Sequence, residues 1–196
     1  MSPAIRLDPQ TLLAAYSQGV FPMAGRDGVI RWYTADPRGV LPLENFHLPK
    51  SLAQIVRQNK FEVRINHDFQ GVMRACMDNR EDGTWINDQL IRAYSHLHEM
   101  GFAHSVECYR GEELAGGLYG VSLGAAFFGE SMFHRQRDAS KVALVHLVQR
   151  LRERGFVLLD TQAVTEHLRR FGCIEISAEE YARRLERALA GKAEFA

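Results

Sequence analysis

The spacing of apolar residues changes period several times along the chain, and each change marks an element. Phe61-Glu62-Val63-Arg64-Ile65 alternates apolar and polar side chains, the period of a strand. Behind a capping Asp68, Phe69, Val72, Met73 and Cys76 recur at helical spacing. A polar loop over 78–83 follows, then Thr84-Trp85-Ile86 and a second helix capped by Asn87. Leu90, Ile91, Tyr94 and Leu97 share one face of that helix, and Gly101 stops it. A strand over 103–109 turns at 110–113 into a hairpin: strand 114–122, turn Leu123-Gly124, strand 125–133. Small and aromatic residues fill both hairpin strands, which predicts a place inside a sheet covered on both faces. A helix over 139–154 and a continuous apolar strand over 156–160 come next. A short helix (165–171), a strand (173–176) and an amphipathic helix (178–190) complete the pattern.

Ahead of Phe61 the elements are shorter. Asp8 can cap a helix that starts on Pro9, with Leu12, Leu13 and Tyr16 as its apolar stripe and Gly19 as its end. Residues 20–23 read as an apolar connector, 29–33 as a strand carrying Trp32, 36–39 as a turn and 40–43 as a second strand. A helix then runs from Pro49 to about 59, with Leu52, Ile55 and Val56 inward. The pattern divides the chain into a small N-terminal α/β subdomain, 1–60, and a larger domain, 61–196. The larger domain is α+β, a mixed, mainly antiparallel sheet flanked by helices. Its element order is that of a GNAT-like acyltransferase domain.

Composition narrows the classes without naming a chemistry. At 196 residues, 46% apolar and 24% charged, the chain has the makeup of an ordinary globular protein with room for a core. No apolar run approaches the ~20 residues a membrane span needs. The start, MSPAIRLDPQ, lacks the apolar core of a signal peptide, so a cytoplasmic location is expected; a monomer is the expected state. Cys76, Cys108 and Cys173 show no paired spacing and read as free thiols. Twenty-four basic residues balance twenty-four acidic ones. A nucleic-acid partner would therefore be gripped locally, not drawn in by a global field.

Two carboxylates stand out. Glu130 interrupts the apolar run from Phe127 to Phe133. A carboxylate there must be paired, hydrogen-bonded or shifted in pKa, unless it sits at a strand end and reaches water. Asp160 closes an apolar strand, where ligand sites gather in sheets with crossover helices. Gln162 lies two residues on, so an extended backbone would point both side chains the same way. Thr165 and Glu166 are better placed than Asp160 to start the following helix. The junction 134–140 is where a GNAT enzyme holds the coenzyme A pyrophosphate, yet it has no glycine to let backbone amides approach a phosphate. Coenzyme A is therefore not expected. No metal is expected either, because His96 and His98 cannot share a helix face and no carboxylate completes a ligand set. Trp85 and Trp32 are candidates for stacking on a base, with core packing as the alternative for each.

Several motifs occur together in order. They are Trp32 with Asp36-Pro37-Arg38, Gly83-Thr84-Trp85-Ile86, His104-Ser105-Val106-Glu107 and Gly116-Gly117-Leu118-Tyr119-Gly120-Val121. Phe128-Gly129-Glu130-Ser131-Met132-Phe133, Ala139-Ser140-Lys141 and Asp160-Thr161-Gln162 follow. Together they resemble the leucyl/phenylalanyl-tRNA–protein transferases, from about residue 16 to 176. The resemblance implies a small N-terminal domain on a GNAT-like domain and no cofactor. It also implies transfer of Leu or Phe, with Met a further candidate, from Leu-tRNA or Phe-tRNA to proteins beginning with Arg or Lys. On that footing Asp160, with Gln162, deprotonates or orients the attacking amine, and Glu130 orients the substrate or pairs with its cationic side chain. Phe128, Gly129, Ser131 and Met132 would shape the acyl pocket, Trp85 would stack on the terminal adenosine and Trp32 would lie nearby. Alternatively, both carboxylates only bind the cationic N-terminus and a ribose hydroxyl shuttles the proton. A coenzyme A-dependent N-acyltransferase and a catalytically silent tRNA-binding module are the competing classes.

Overall fold

The computed structural model describes residues 7–78 and 83–196, so most of the predicted polar loop, 79–82, lies outside it. The chain opens with α1 (Pro9–Tyr16), β1 (Phe21–Ala24), β2 (Ile30–Tyr33), β3 (Arg38–Val40) and α2 (Lys50–Arg57). Then come β4 (Glu62–Ile65), α3 (Phe69–Asp78), α4 (Asp88–Glu99), β5 (Ala103–Arg110), β6 (Glu113–Leu123) and β7 (Ala126–His134). The last elements are α5 (Ala139–Glu153), β8 (Leu158–Gln162), α6 (Glu166–Arg169), β9 (Ile174–Ile176) and α7 (Ala178–Leu189).

Local chemistry sets most of these boundaries. The Asp8 carboxylate accepts from the Thr11 amide at 3.0 Å, and Asn87 Oδ1 accepts from Leu90 at 2.9 Å. Asp68 likewise accepts from the Gly71 amide at 2.9 Å. Each cap satisfies an amide that the first helical turn leaves without an intrahelical partner. Gly124 turns the β6–β7 hairpin with φ of +58°, a left-handed conformation that glycine adopts without a Cβ penalty.

Seven strands form one sheet in the order β4-β5-β6-β7-β8-β3-β9. The β7–β8 ladder is parallel and the others are antiparallel, so the sheet is mixed and mainly antiparallel. Helices cover both faces. One apolar cluster gathers Leu12, Tyr16, Val72, Tyr94 and Leu185; a second gathers Leu52, Val106, Val145, Leu147 and Val148. A central hairpin between two such layers has to be apolar on both faces, which explains its composition.

The structure departs from the hydrophobic pattern in three places. The predicted connector over 20–23 is instead strand β1, paired with β2 so that Pro22 lies opposite Trp32. A two-stranded sheet is all edge, so a residue without an N–H is tolerated there. The strand predicted over 40–43 starts earlier, at Arg38, and stops ahead of Pro42. It does not stay with the N-terminal elements: β3 lies between β8 and β9 inside the large sheet. Finally, β8 begins at Leu158 and not at Phe156, because the Phe156 amide still bonds to Leu151 O at the end of α5.

Candidate active site

The parallel β7–β8 ladder is short. It pairs Ala126 with Leu158, Phe127 with Leu159 and Phe128 with Asp160. Beyond that point β7 stays with β6 and β8 stays with β3, each through an irregularity. On β7, Tyr119 pairs with Ser131 and Gly120 with Gly129, leaving Glu130 as an extra residue in a bulge. On β8, Gly39 pairs with Gln162 and Val40 with Asp160, so Thr161 is the extra residue. Bulges bend a strand and re-aim side chains, and the two here flank the place where the strands part. A cavity of about 210 Å³ lies between them. Gly129, Glu130, Ser131 and Met132 of β7 wall it on one side and Thr161 and Ala163 on the other, over an apolar base that includes Leu118, Leu144, Leu147 and Leu159.

Glu130 is 8% exposed. The Tyr16 hydroxyl donates to its Oε1 at 2.6 Å and Gln162 Nε2 donates to the same oxygen at 3.2 Å. Tyr16 is in turn hydrogen-bonded to the Tyr94 hydroxyl. Burial pushes the Glu130 carboxyl up to about 7, with the Asp160 charge adding to it and the Tyr16 hydrogen bond opposing it. The result is a carboxyl on the wall of an apolar cavity that exchanges its proton near neutrality.

Asp160 is a different kind of carboxylate. It is fully buried, and its oxygens accept from Arg38 Nε at 3.0 Å and Nη2 at 2.6 Å and from the Tyr181 hydroxyl at 2.6 Å. The Gln162 amide donates to Asp160 Oδ1 at 2.8 Å. Arg38, itself 1% exposed, lies between the rings of Phe21 and Tyr181 and donates to Gly19 O at 2.8 Å. The ion pair thus fastens β3, β8, α7 and the end of α1 together. Asp160 does not line the cavity, and its acceptor sites are filled by protein donors. Gln162 does not stay extended either. Its φ is +59°, which lets its own amide reach Asp160 while its side chain reaches Glu130.

The remaining predicted residues divide. Gly129, Ser131 and Met132 line the cavity. Phe128 does not; it is fully buried on the opposite face, its ring 5.0 Å from that of Tyr16. Alternation alone would put Phe128 and Met132 on one face, but the bulge at Glu130 between them reverses the parity. Trp32 and Trp85 are half-buried beside β1, where Trp85 O accepts from the Ala24 amide at 2.9 Å, and neither lines the cavity. Tyr16, Tyr94, Arg38 and Tyr181 were legible only as a helix stripe, a core residue, a turn and an amphipathic face. The signal that could have found Arg38 was the need of a buried carboxylate for a partner.

A family model described as leucyl/phenylalanyl-tRNA protein transferase matches residues 40–186, and one for the N-terminal domain of that family matches 6–36. The chain belongs to this family. A relative from Rubrobacter xylanophilus, named leucyl/phenylalanyl-tRNA–protein transferase, is 56% identical over 94% of this chain and 96% of its own. Relatives of the same name from Maricaulis maris and Phenylobacterium zucineum are 56% and 57% identical, covering 95% and 96% of this chain and 88% and 87% of theirs. Among solved structures, L-PGS from Bacillus licheniformis overlays with a TM-score of 0.47 at 10% identity, over 91% of this chain and 62% of that one.

Proposed function

We propose that the protein transfers a leucyl or phenylalanyl group from aminoacyl-tRNA to the N-terminal amine of proteins beginning with Arg or Lys. The observation that carries this reading is the apolar cavity with Glu130 on its wall. Its volume is below the ~300–1,000 Å³ of pockets for drug-sized ligands, a size for one amino-acid side chain. Met132, Leu118 and Leu147 offer that side chain a dry, apolar surface.

Aminolysis of an ester needs a neutral amine, and an α-amino group has a pKa of ~8. Glu130, at about 7, is well matched to take that proton near neutral pH. The freed nitrogen attacks the ester carbon, and the C–N bond forms as the bond from that carbon to the ribose oxygen breaks. The proton lost from the nitrogen on acylation passes to the ribose oxygen, which leaves as a hydroxyl. Gln162 orients Glu130 through its side-chain amide. Asp160 acts at one remove by holding the Gln162 backbone, and so is a positioning residue. On the same reading the protein is a cytoplasmic monomer, with a GNAT-like domain behind a smaller N-terminal unit. The test is to incubate labelled Leu-tRNA and Phe-tRNA with peptides that start in Arg, Lys or Ala. Label should move to the first two peptides; label that stays on tRNA with all three defeats the reading.

A further inference from the structure

The proposed transfer leaves one proton without a carrier. Glu130 takes the first proton from the acceptor's ammonium group. The nitrogen sheds another as it becomes an amide, and the ribose oxygen must gain one to leave as a hydroxyl. A group that can both take and give a proton therefore belongs beside the ester. An acyl side chain held in the cavity leaves its ester at the rim. Met132 and His167 mark that rim, since each lines both the cavity and the open cleft of about 660 Å³ next to it. Of the two, only the imidazole can move a proton.

His167 is held in place by its surroundings. It comes from α6, whose first turn is fixed by the Leu168 amide donating to Thr165 Oγ1 at 3.2 Å, and its ring makes a T-shaped contact with Phe171 at 5.4 Å. Its Nε2 is buried and has no hydrogen-bond partner among the described residues. A nitrogen in that state has lost its water without replacement, a penalty that an apolar side chain at the same position would not carry. The charge state of the ring also suits a carrier. Burial, then the charges of Lys141, Arg170 and His134, hold the imidazole below the usual histidine range. It is neutral at rest near pH 7, and once protonated it is a stronger acid than an ordinary imidazolium.

We propose that His167 is the catalytic residue that carries the acceptor nitrogen's proton to the ribose oxygen. Once the C–N bond has formed, the lone pair of Nε2 takes the proton from the nitrogen. As the bond from the carbonyl carbon to the ribose oxygen breaks, the same Nε2 gives that proton to the oxygen. The imidazole ends neutral, as it began, and no further reactant is needed. Glu130 frees the amine to attack and His167 frees the alcohol to leave, two proton carriers lining one cavity. This inference rests on the transfer reading above.

The experiment compares two donors in single turnover with saturating Arg-initiated peptide. One is the phenylalanyl ester of adenosine, and the other has sulfur in place of the ribose oxygen that bridges to the acyl group. An alkoxide needs a proton to leave, whereas a thiol ionises near pH ~8.5 and departs as the thiolate. His167→Gln keeps a hydrogen-bonding side chain that cannot shuttle a proton. It should slow transfer from the oxygen ester by ~10²–10⁴-fold, the scale of general acid–base catalysis, and transfer from the sulfur ester by less than about tenfold. A merely structural role would slow both alike, and retained activity on the sulfur ester shows that the variant is folded. A loss below about tenfold with the oxygen ester, or equal losses with both donors, overturns the inference while the transfer reading stands. If the unaltered protein gives no transfer even from intact Phe-tRNA, the transfer reading fails and the role of His167 fails with it.

Discussion

Replacing Glu130 by Gln separates the proton from the shape of the group that carries it. The folded protein raises this carboxyl from the ordinary glutamate value of 4.5 to about 7. At 1.36 kcal/mol per pH unit, that rise corresponds to about 3 kcal/mol. The sign follows from which state binds the proton. Below pH 4.5 the group is protonated whether the chain is folded or not, and its full contribution to stability is present. Between 4.5 and 7 the unfolded chain releases the proton while the folded protein keeps it, so stability falls. Above 7 the loss is complete. His104 works in the opposite direction, since burial lowers it to about 4 and the unfolded chain then binds the extra proton. Both forms of the protein share that histidine, so the difference between them isolates residue 130. Urea unfolding at intervals from pH 4.5 to 8 should show the intact protein losing about 3 kcal/mol relative to Glu130→Gln. A Gln side chain can still accept from Tyr16 and Gln162, so packing is kept. Stability curves that run parallel across this range would refute the idea that Glu130 is held protonated by burial.

Two further outcomes test the fold. Arg38→Met strands a fully buried carboxylate at Asp160 and should cost about 3–5 kcal/mol in urea unfolding, much of it recovered when Asp160 is also made apolar. Gly124→Ala places a methyl group within 2.7 Å of Ala188 O at a left-handed position, and its melting curve should reveal a loss above about 1 kcal/mol.

Elements set by nearby residues were the ones that could be read in advance. The caps at Asp8, Asp68 and Asn87 bond amides three residues away, and the Gly124 turn needs only its own backbone. What escaped depends on partners distant in sequence. Nothing around Arg38 announces that its strand enters the large sheet or that its side chain meets Asp160. The pairing of Glu130 with Tyr16 spans a similar distance. The misplacing of Phe128 has a separate origin: a bulge keeps every residue type of a strand and changes only its parity. Hydrophobic alternation cannot register that change. Glu130 itself was conspicuous, because a carboxylate among phenylalanines breaks a local pattern.

The insertion of β3 between β8 and β9 has a bearing on how the chain reaches this state. During synthesis Arg38–Val40 is made early, while its two neighbours, at 158–162 and 174–176, come from the far end. Until they arrive β3 has no ladder to join, and the ion pair between Arg38 and Asp160 has only one member. Closing the sheet is therefore a late, long-range event, the kind of contact that slows folding and leaves strand edges bare in the interval. The barrier to completing the large sheet lies where its earliest strand waits for its last, at the same seam that supports the cavity.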